Sequence, residues 1–361
     1  MSNMEKPQHT VAQEIYEWHE RKEEKKPLRL GRLGSSQIGK PCDRALWYSF
    51  RKLFAVKFEG RILRLFQTGH LEEPRMVEEL RGIGCRVEEI DERTGNQFEF
   101  SALGGHFVCY PDGAALGLSA APKTWHILEF KTINTKGFKK LVKDEVRKSK
   151  PEHYAQMMVG MGMAPMTRAF YLVKNKDTDE LYDERIKFVK ADFDRIMARA
   201  KTIISATNPL ERCATRPDDF RCKFCDAYKL CWATGEASLQ LPSKTCRSCC
   251  HATPEIDDTD NAHWSCKALG KDLTREEQLV ACDKHLILPG LISFAEPIDA
   301  GDDWIRFKNN RDGVEWVHGH KDGMWSTNEL LKTPGSLVGE KEVQDVKEAF
   351  GGTVVNVEET K

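Results

Sequence analysis

Asp112 is followed, after sixteen residues, by Glu129-Phe130-Lys131. A strand-like run, Gly105 to Tyr110, leads to the aspartate, and a second, Trp125 to Lys131, carries the glutamate and the lysine. Alternation along a strand puts Glu129 and Lys131 on one face and Phe130 on the other. Asp112 can meet them from the neighbouring strand. Two carboxylates are hard oxygen ligands suited to Mg²⁺ or Mn²⁺. A lysine beside them can orient water or offset charge building on a phosphate. That is the minimum apparatus for metal-dependent phosphodiester hydrolysis, although Glu-x-Lys alone is also common on solvated strands.

The cysteines offer a second chemistry. The chain has 12, which in a reduced compartment read as metal ligands rather than disulfides. Cys222, Cys225 and Cys231 have C-x₂-C-x₅-C spacing. Three thiolates do not close a four-coordinate site, so a fourth must come from Cys213 or from distant Cys42, with zinc as the default metal. A second group comprises Cys246, Cys249, Cys250, His251, His263, Cys266, Cys282 and His285. Cys246, Cys249, Cys266 and Cys282 are favoured as one closed structural Zn²⁺ site, with Cys250, His251 and His285 as credible substitutes.

Elements must hold these residues in place. The 361 residues allow about two domains. With 40% hydrophobic and 31% charged residues the composition is that of a soluble protein with a real core. Net charge is −1, so nucleic-acid binding would need local basic patches. No apolar run reaches the roughly 20 residues of a membrane span. The N-terminus lacks a signal-peptide apolar segment, so a cytoplasmic location is expected. Helical patterns cover residues 10–26, 41–50, 61–82, 151–163 and 193–204, with Pro74 expected to kink the third or start another. His70 lies in that third helix, and Tyr154 and Gln156 lie in the fourth. Strands are expected near 85–90, 97–100, 168–174 and 181–189. Lys131 to Lys150 holds eight Lys or Arg against Asp144 and Glu145, a phosphate-tracking surface or a solvated helix face. Trp304 to His318 reads as a hairpin turning at Asn309–Gly313. The order is mixed α/β (α+β) around a small central sheet.

With these residues assembled, 34–232 resembles the RecB-like branch of the PD-(D/E)xK nuclease superfamily, typified by iron–sulfur exonucleases such as the CRISPR-associated RecB-like nucleases and the AddB-type nuclease domain. Pro111-Asp112 and Glu129-Phe130-Lys131 match the superfamily signature. His70 in Thr-Gly-His-Leu-Glu matches the branch's metal-contacting histidine. Tyr154 and Gln156 match its downstream Tyr/Gln helix. Cys42 in Pro-Cys-Asp-Arg-Ala-Leu-Trp-Tyr matches the N-terminal cluster cysteine, and Cys222, Cys225 and Cys231 the other three.

The resemblance implies a restriction-endonuclease-like core, a central mixed sheet flanked by helices. It implies a [4Fe–4S] cluster on Cys42, Cys222, Cys225 and Cys231, leaving Cys213 a spectator. It also implies Mg²⁺ or Mn²⁺ held by His70, Asp112, Glu129 and the Phe130 carbonyl, Lys131 acting on the water and the phosphate, and Tyr154 and Gln156 orienting substrate. The expected domains are 1–33 (helix and linker), 34–240 (nuclease) and 241–361, a zinc-ribbon-like module with a β-hairpin that departs from that family as phage and mobile-element additions do. The expected activity is exonucleolytic hydrolysis of single-stranded DNA or duplex ends in recombination, repair or end processing, with a recombination or annealing protein as possible partner and no membrane. Two alternatives share these residues: a structure-selective endonuclease, and a catalytically idle DNA-binding or scaffolding protein with two metal staples.

Overall fold

The structure is a computed structural model that describes residues 10–26, 31–232 and 244–353. The chain forms two compact units that interleave in sequence. Unit 1 comprises 1–29, 56–100 and 109–196; unit 2 comprises 30–55, 101–108 and 197–361. The expected domains were consecutive blocks. The boundary expected near 240 lies outside the described residues, and 244–353 share a unit with 31–55, 101–108 and 197–232.

Unit 1 contains α1 (Val11–Glu24), α2 (Gly60–Gly82), β1 (Arg86–Glu88), β2 (Gly113–Leu116), β3 (His126–Ile133), α3 (Thr135–Ser149), α4 (Pro151–Met163), β4 (Arg168–Asn175), β5 (Leu181–Lys187) and the start of α5 (Lys190–Ser205). Its five-stranded sheet runs β5-β4-β3-β2-β1. Only β3 and β4 are parallel, and α3 with α4 form the crossover that parallel pairing requires. The mixed α/β class with a central mixed sheet flanked by helices is therefore the observed architecture. One layer of its core packs Met76, Val77 and Leu80 of α2 with Val87, Ala115, Leu128, Phe130, Phe170 and Leu172 of the sheet.

Two local readings differ from expectation. The antiparallel neighbour of the strand that carries Glu129 and Lys131 is Gly113–Leu116, which pairs with His126 to Leu128, not the run ending at Tyr110. Asp112 therefore stands just before a strand rather than on one. Helix α2 continues through Pro74 without a break, although an interior proline loses one hydrogen bond and crowds the carbonyl four residues before it. Helix α1 forms within the expected 10–26; it has no buried residue, and Val11, Ile15 and Trp18 are exposed.

Unit 2 holds the helix Asp43–Phe50, a short helix Tyr228–Cys231, and two three-stranded antiparallel sheets. One is Ala252–Pro254, Trp264–Cys266, Lys271–Leu273. The other contains the expected hairpin, Trp304–Asn309 with Glu315–Gly319, extended by Ala295–Ala300. Two buried arginines tie 244–353 to the 31–55 segment. The Arg51 guanidinium lies 5.1 Å from the Trp47 ring centroid and 5.3 Å from that of Trp264, and donates to the Arg247 carbonyl at 3.2 Å. Arg247 donates to the carbonyls of Gly31 and Phe50, each at 2.8 Å. Buried guanidinium groups that donate to backbone carbonyls and lie over aromatic rings hold segments together. The cysteine-rich segment is thus packed into unit 2 rather than appended to it. Among the described residues no helix is long and apolar enough to cross a membrane.

Candidate active site and cysteine centres

The strand β3 runs into the core at its middle. Phe130 packs into the apolar layer while Glu129, only 1% exposed, points to the opposite face with Lys131. Lys131 Nζ is paired directly with Glu129 Oε1. Asp112 Oδ2 accepts the Phe130 backbone N–H at 2.6 Å, and the Asp112 N–H donates to the Leu128 carbonyl at 3.3 Å. The antiparallel register Gly113↔Leu128 is what brings Asp112 beside Glu129 across sixteen intervening residues.

Helix α2 delivers two more groups. His70 Nδ1 lies 3.5 Å from Glu73 Oε1, one helical turn apart. The i, i+3 spacing puts both on one face. Glu73, His70, Phe130, Lys131, Thr132 and Lys176 line a cavity of about 410 Å³.

The electrostatics of the group are those of anions forced together. Burial pushes the Glu129 carboxyl up to about 8; Lys131 opposes the shift while Asp112 and Glu73 add to it. Burial also raises Asp112, against Lys131, the Phe130 N–H and His70. Glu73 is raised by burial and by the charge on Asp112, with His70 and Lys131 opposing. Burial acts against the Lys131 ammonium, but Glu129 and Asp112 outweigh it and raise its pKa. Three carboxyl groups and an imidazole around one ammonium are donor types that a hard divalent ion takes, although among the described residues no three of them stand in a metal-binding geometry.

Two side chains that sequence reasoning passed over complete the setting. The register Glu129↔Tyr171 sets Tyr171 beside Glu129, and burial and Glu129 raise its phenol. Tyr171 shares a 2.6 Å hydrogen bond with His153 Nδ1. Burial, Lys131 and Lys150 hold the His153 imidazole neutral, with its pKa lowered to about 3. His153 was legible as a polar residue at the head of α4, one position from the tyrosine that was chosen. That tyrosine is engaged elsewhere: Tyr154 donates its hydroxyl to Asp192 at 2.9 Å and lies under the Arg147 guanidinium. Gln156 is buried on α4, one turn after His153. Glu73 was readable only from its spacing to His70.

The basic stretch forms α3. Phe138, Leu141 and Val146 are buried, while Lys136, Lys139, Lys140, Lys143, Arg147 and Lys148 are exposed.

In unit 2, Cys42, Cys213, Cys222, Cys225 and Cys231 all line one cavity. Cys42 caps the helix Asp43–Phe50, and the other four lie on the loop and short helix beyond Leu210. Cys213 is not remote from the group: burial and a hydrogen bond with Cys42 push its thiol up to about 12. Arg212 Nε donates to Cys231 Sγ at 3.4 Å, and its guanidinium stacks on Trp232. Five thiols with an adjacent guanidinium suit an anionic thiolate-bound metal group.

Cys246, Cys249, Cys266 and Cys282 form the second group. Burial and the proximity of Cys249, Cys282 and Cys266 push Cys246 up to about 12. The Cys249 thiol is drawn down to about 7 by a hydrogen bond from Cys250, although burial opposes it. His285 is not available as a substitute ligand. Its Nδ1 is bonded to Thr327 Oγ1 at 2.9 Å, and its Nε2 faces the Thr245 carbonyl at 2.9 Å and Ser248 Oγ at 3.1 Å. His251 is buried. Among the described residues, no three Cys, His, Asp or Glu side chains stand in a ready-made metal-binding geometry.

No family profile matches the chain, and no curated protein matches it in sequence. Several solved structures are similar to it over part of its length. A crystal structure of LHK-Exo in complex with dAMP is 18% identical, covering 53% of this chain and 89% of that one, with a TM-score of 0.35. A second, of an alkaline exonuclease (LHK-Exo) from Laribacter hongkongensis, is 18% identical, covers 48% and 87%, and has a TM-score of 0.35. A crystal structure of SSO0001 is 12% identical, covers 63% and 98%, and has a TM-score of 0.39.

Proposed function

We propose that this chain is a divalent-cation-dependent deoxyribonuclease that hydrolyses phosphodiester bonds at DNA ends, an exonuclease of the RecB-like kind. The observation that carries the reading is the placing of Glu73, His70 and Lys131 on one cavity wall, with Glu129 paired to Lys131 behind it and Asp112 held on the Phe130 N–H. Asp112, Glu129 and Glu73, with His70 and the Phe130 carbonyl, would hold Mg²⁺ or Mn²⁺; the imidazole favours Mn²⁺. Such an ion supplies charge for the scissile phosphate and acidity for the attacking water.

The remaining roles belong to the chain. Lys131, anchored on Glu129, presents its ammonium to the water and to the charge that develops on phosphorus. Tyr171 and neutral His153 buttress Glu129 from the neighbouring strand and helix, so that the carboxylate keeps one orientation. The exposed lysines of α3 would track the strand's phosphates. In unit 2, a [4Fe–4S] cluster drawn from the five-thiol cavity and a Zn²⁺ on Cys246, Cys249, Cys266 and Cys282 would act as staples. The setting is end processing in recombination or repair, in the cytoplasm, in a chain of phage or mobile-element character.

The test is hydrolysis of end-labelled single-stranded DNA by anaerobically prepared protein with Mn²⁺, Mg²⁺ or EDTA. Metal-dependent release of short labelled products is expected. Lys131→Ala is expected to lose on the order of a hundredfold or more in rate. Wild type and variant equally inactive, with DNA binding intact, would overturn the catalytic reading. Cutting of covalently closed circular single strands would make the activity endonucleolytic.

A further inference from the structure

At the rim of the catalytic cavity two aromatic side chains are left unburied. Phe58 is 42% and Phe66 44% exposed. Their rings meet edge to face, with centroids 5.0 Å apart. Leu65 is also exposed, and Leu65 and Phe66 line the same cavity as His70, Glu73 and Lys131. The apolar residues that α2 gives to the core lie further along, at Met76, Val77 and Leu80. In the first half of α2, Ile62 and Leu63 are half-buried while Leu65 and Phe66 stand exposed.

A single exposed phenylalanine needs no explanation. A mutually packed aromatic pair running into a cavity that also holds Lys131 and Lys176 has a chemical counterpart. Flat apolar rings beside ammonium groups complement an unpaired nucleotide, with its base on the ring and its phosphate on the lysines. An apolar protein surface would match the rings but take the charged groups of the cavity, Glu73, Lys131 and Lys176, out of water with no polar group of its own in return. A duplex keeps its base faces stacked on one another. The occupant consistent with both halves of the cavity is a single strand.

We propose that Phe66, supported by Phe58, is a stacking platform for an unpaired base whose adjacent phosphodiester enters the cavity. The inference rests on the nuclease reading for its substrate class and adds that the substrate is single-stranded at the site and read without regard to sequence, since every base has a face to stack.

The experiment measures binding by the full chain in EDTA, where no hydrolysis occurs. The probes are a short labelled oligothymidylate and the same oligonucleotide with abasic residues at both ends. Wild type is expected to bind the intact probe about tenfold more tightly. Phe66→Ala should bind both probes as wild type binds the abasic one, and Phe66→Trp should keep the discrimination. The proposal is overturned if wild type binds neither probe or both equally, if Phe66→Ala weakens both in parallel, or if the tryptophan fails to discriminate. Hydrolysis with Mn²⁺ is scored separately. Discrimination without hydrolysis would sink the nuclease reading alone, and hydrolysis without discrimination the platform alone.

Discussion

Glu129 shows how much a single residue's surroundings decide. In an ordinary strand it would titrate as a surface carboxylate; here burial raises it to about 8. A raised acid stabilises the fold below its unfolded pKa and loses that contribution as pH rises through the folded value. Without a cation, this group therefore makes the protein less stable as pH climbs from the ordinary carboxylate range to about 8. A bound cation reverses the loss. Because protons compete for the carboxylate, Mn²⁺ affinity should rise by up to about tenfold per pH unit below about 8 and level off above it, by calorimetry. Glu129→Gln should lower the slope, leaving the share that Asp112 and Glu73 contribute. A flat profile in wild type would mean that Glu129 does not hold the ion. Tyr154 makes the opposite case. Its hydroxyl belongs to Asp192, so Tyr154→Phe should lower stability by about 1 kcal/mol in urea titration and leave the hydrolytic rate within about twofold. A rate loss of a hundredfold with unchanged stability would return Tyr154 to the active site.

At the scale of elements, the strand pair β2–β3 and the helix α2 do the positioning. Gly113 follows Asp112 directly and has φ of +141°, where side chains are strained, and a Cβ there would sit 2.6 Å from the Glu88 carbonyl. Gly113→Ala should therefore destabilise the fold by about 2 kcal/mol, and it should weaken metal binding because Asp112 is displaced with the backbone. Thermal unfolding with and without Mn²⁺ measures both effects; an unchanged melting temperature would refute the argument. Helix α2 divides its labour along its length. Its last two turns give Met76, Val77 and Leu80 to the core, and the turns before them carry Phe66, His70 and Glu73 to the cavity. Hydrophobic periodicity reveals the first role, since core residues recur each turn. It is silent on the second, because a carboxylate that lines a cavity follows no period.

At the scale of the whole molecule, the notable feature is how distant segments share a unit. Cys42 and Cys222 are 180 residues apart in sequence yet line one cavity. A metal group bridging them would close that long loop and contribute several kcal/mol. Anaerobically prepared protein should be brown, and Cys42→Ser should lose the colour, the iron and several degrees of melting temperature. Cys213→Ser should keep all three. The reverse pattern would make Cys213 the fourth ligand, and a colourless protein with two zinc ions would replace the iron–sulfur assignment altogether. The buried Arg51 and Arg247, with their stacking on Trp47 and Trp264, explain why residues 244–353 are packed into unit 2.

The amino-acid sequence by itself determined the groups that carry their meaning in local spacing. Glu129 and Lys131 two apart on a strand, the C-x₂-C-x₅-C run, the helical stripe of α2 and the hairpin at 304–319 are short-range patterns. Strand alternation, helical pitch and chain length within a loop set them. What only the tertiary structure decided depends on register and packing between segments far apart in the chain. The pairing Gly113↔Leu128 brings Asp112 to Glu129, and Glu129↔Tyr171 brings in Tyr171 with His153. The same holds for Glu73, for the turning of Tyr154 to Asp192, for Cys213 beside Cys42, and for the interleaving of two units. A sequence states which partners a residue has within a few positions; burial and long-range pairing free energies, summed over the whole chain, choose the rest.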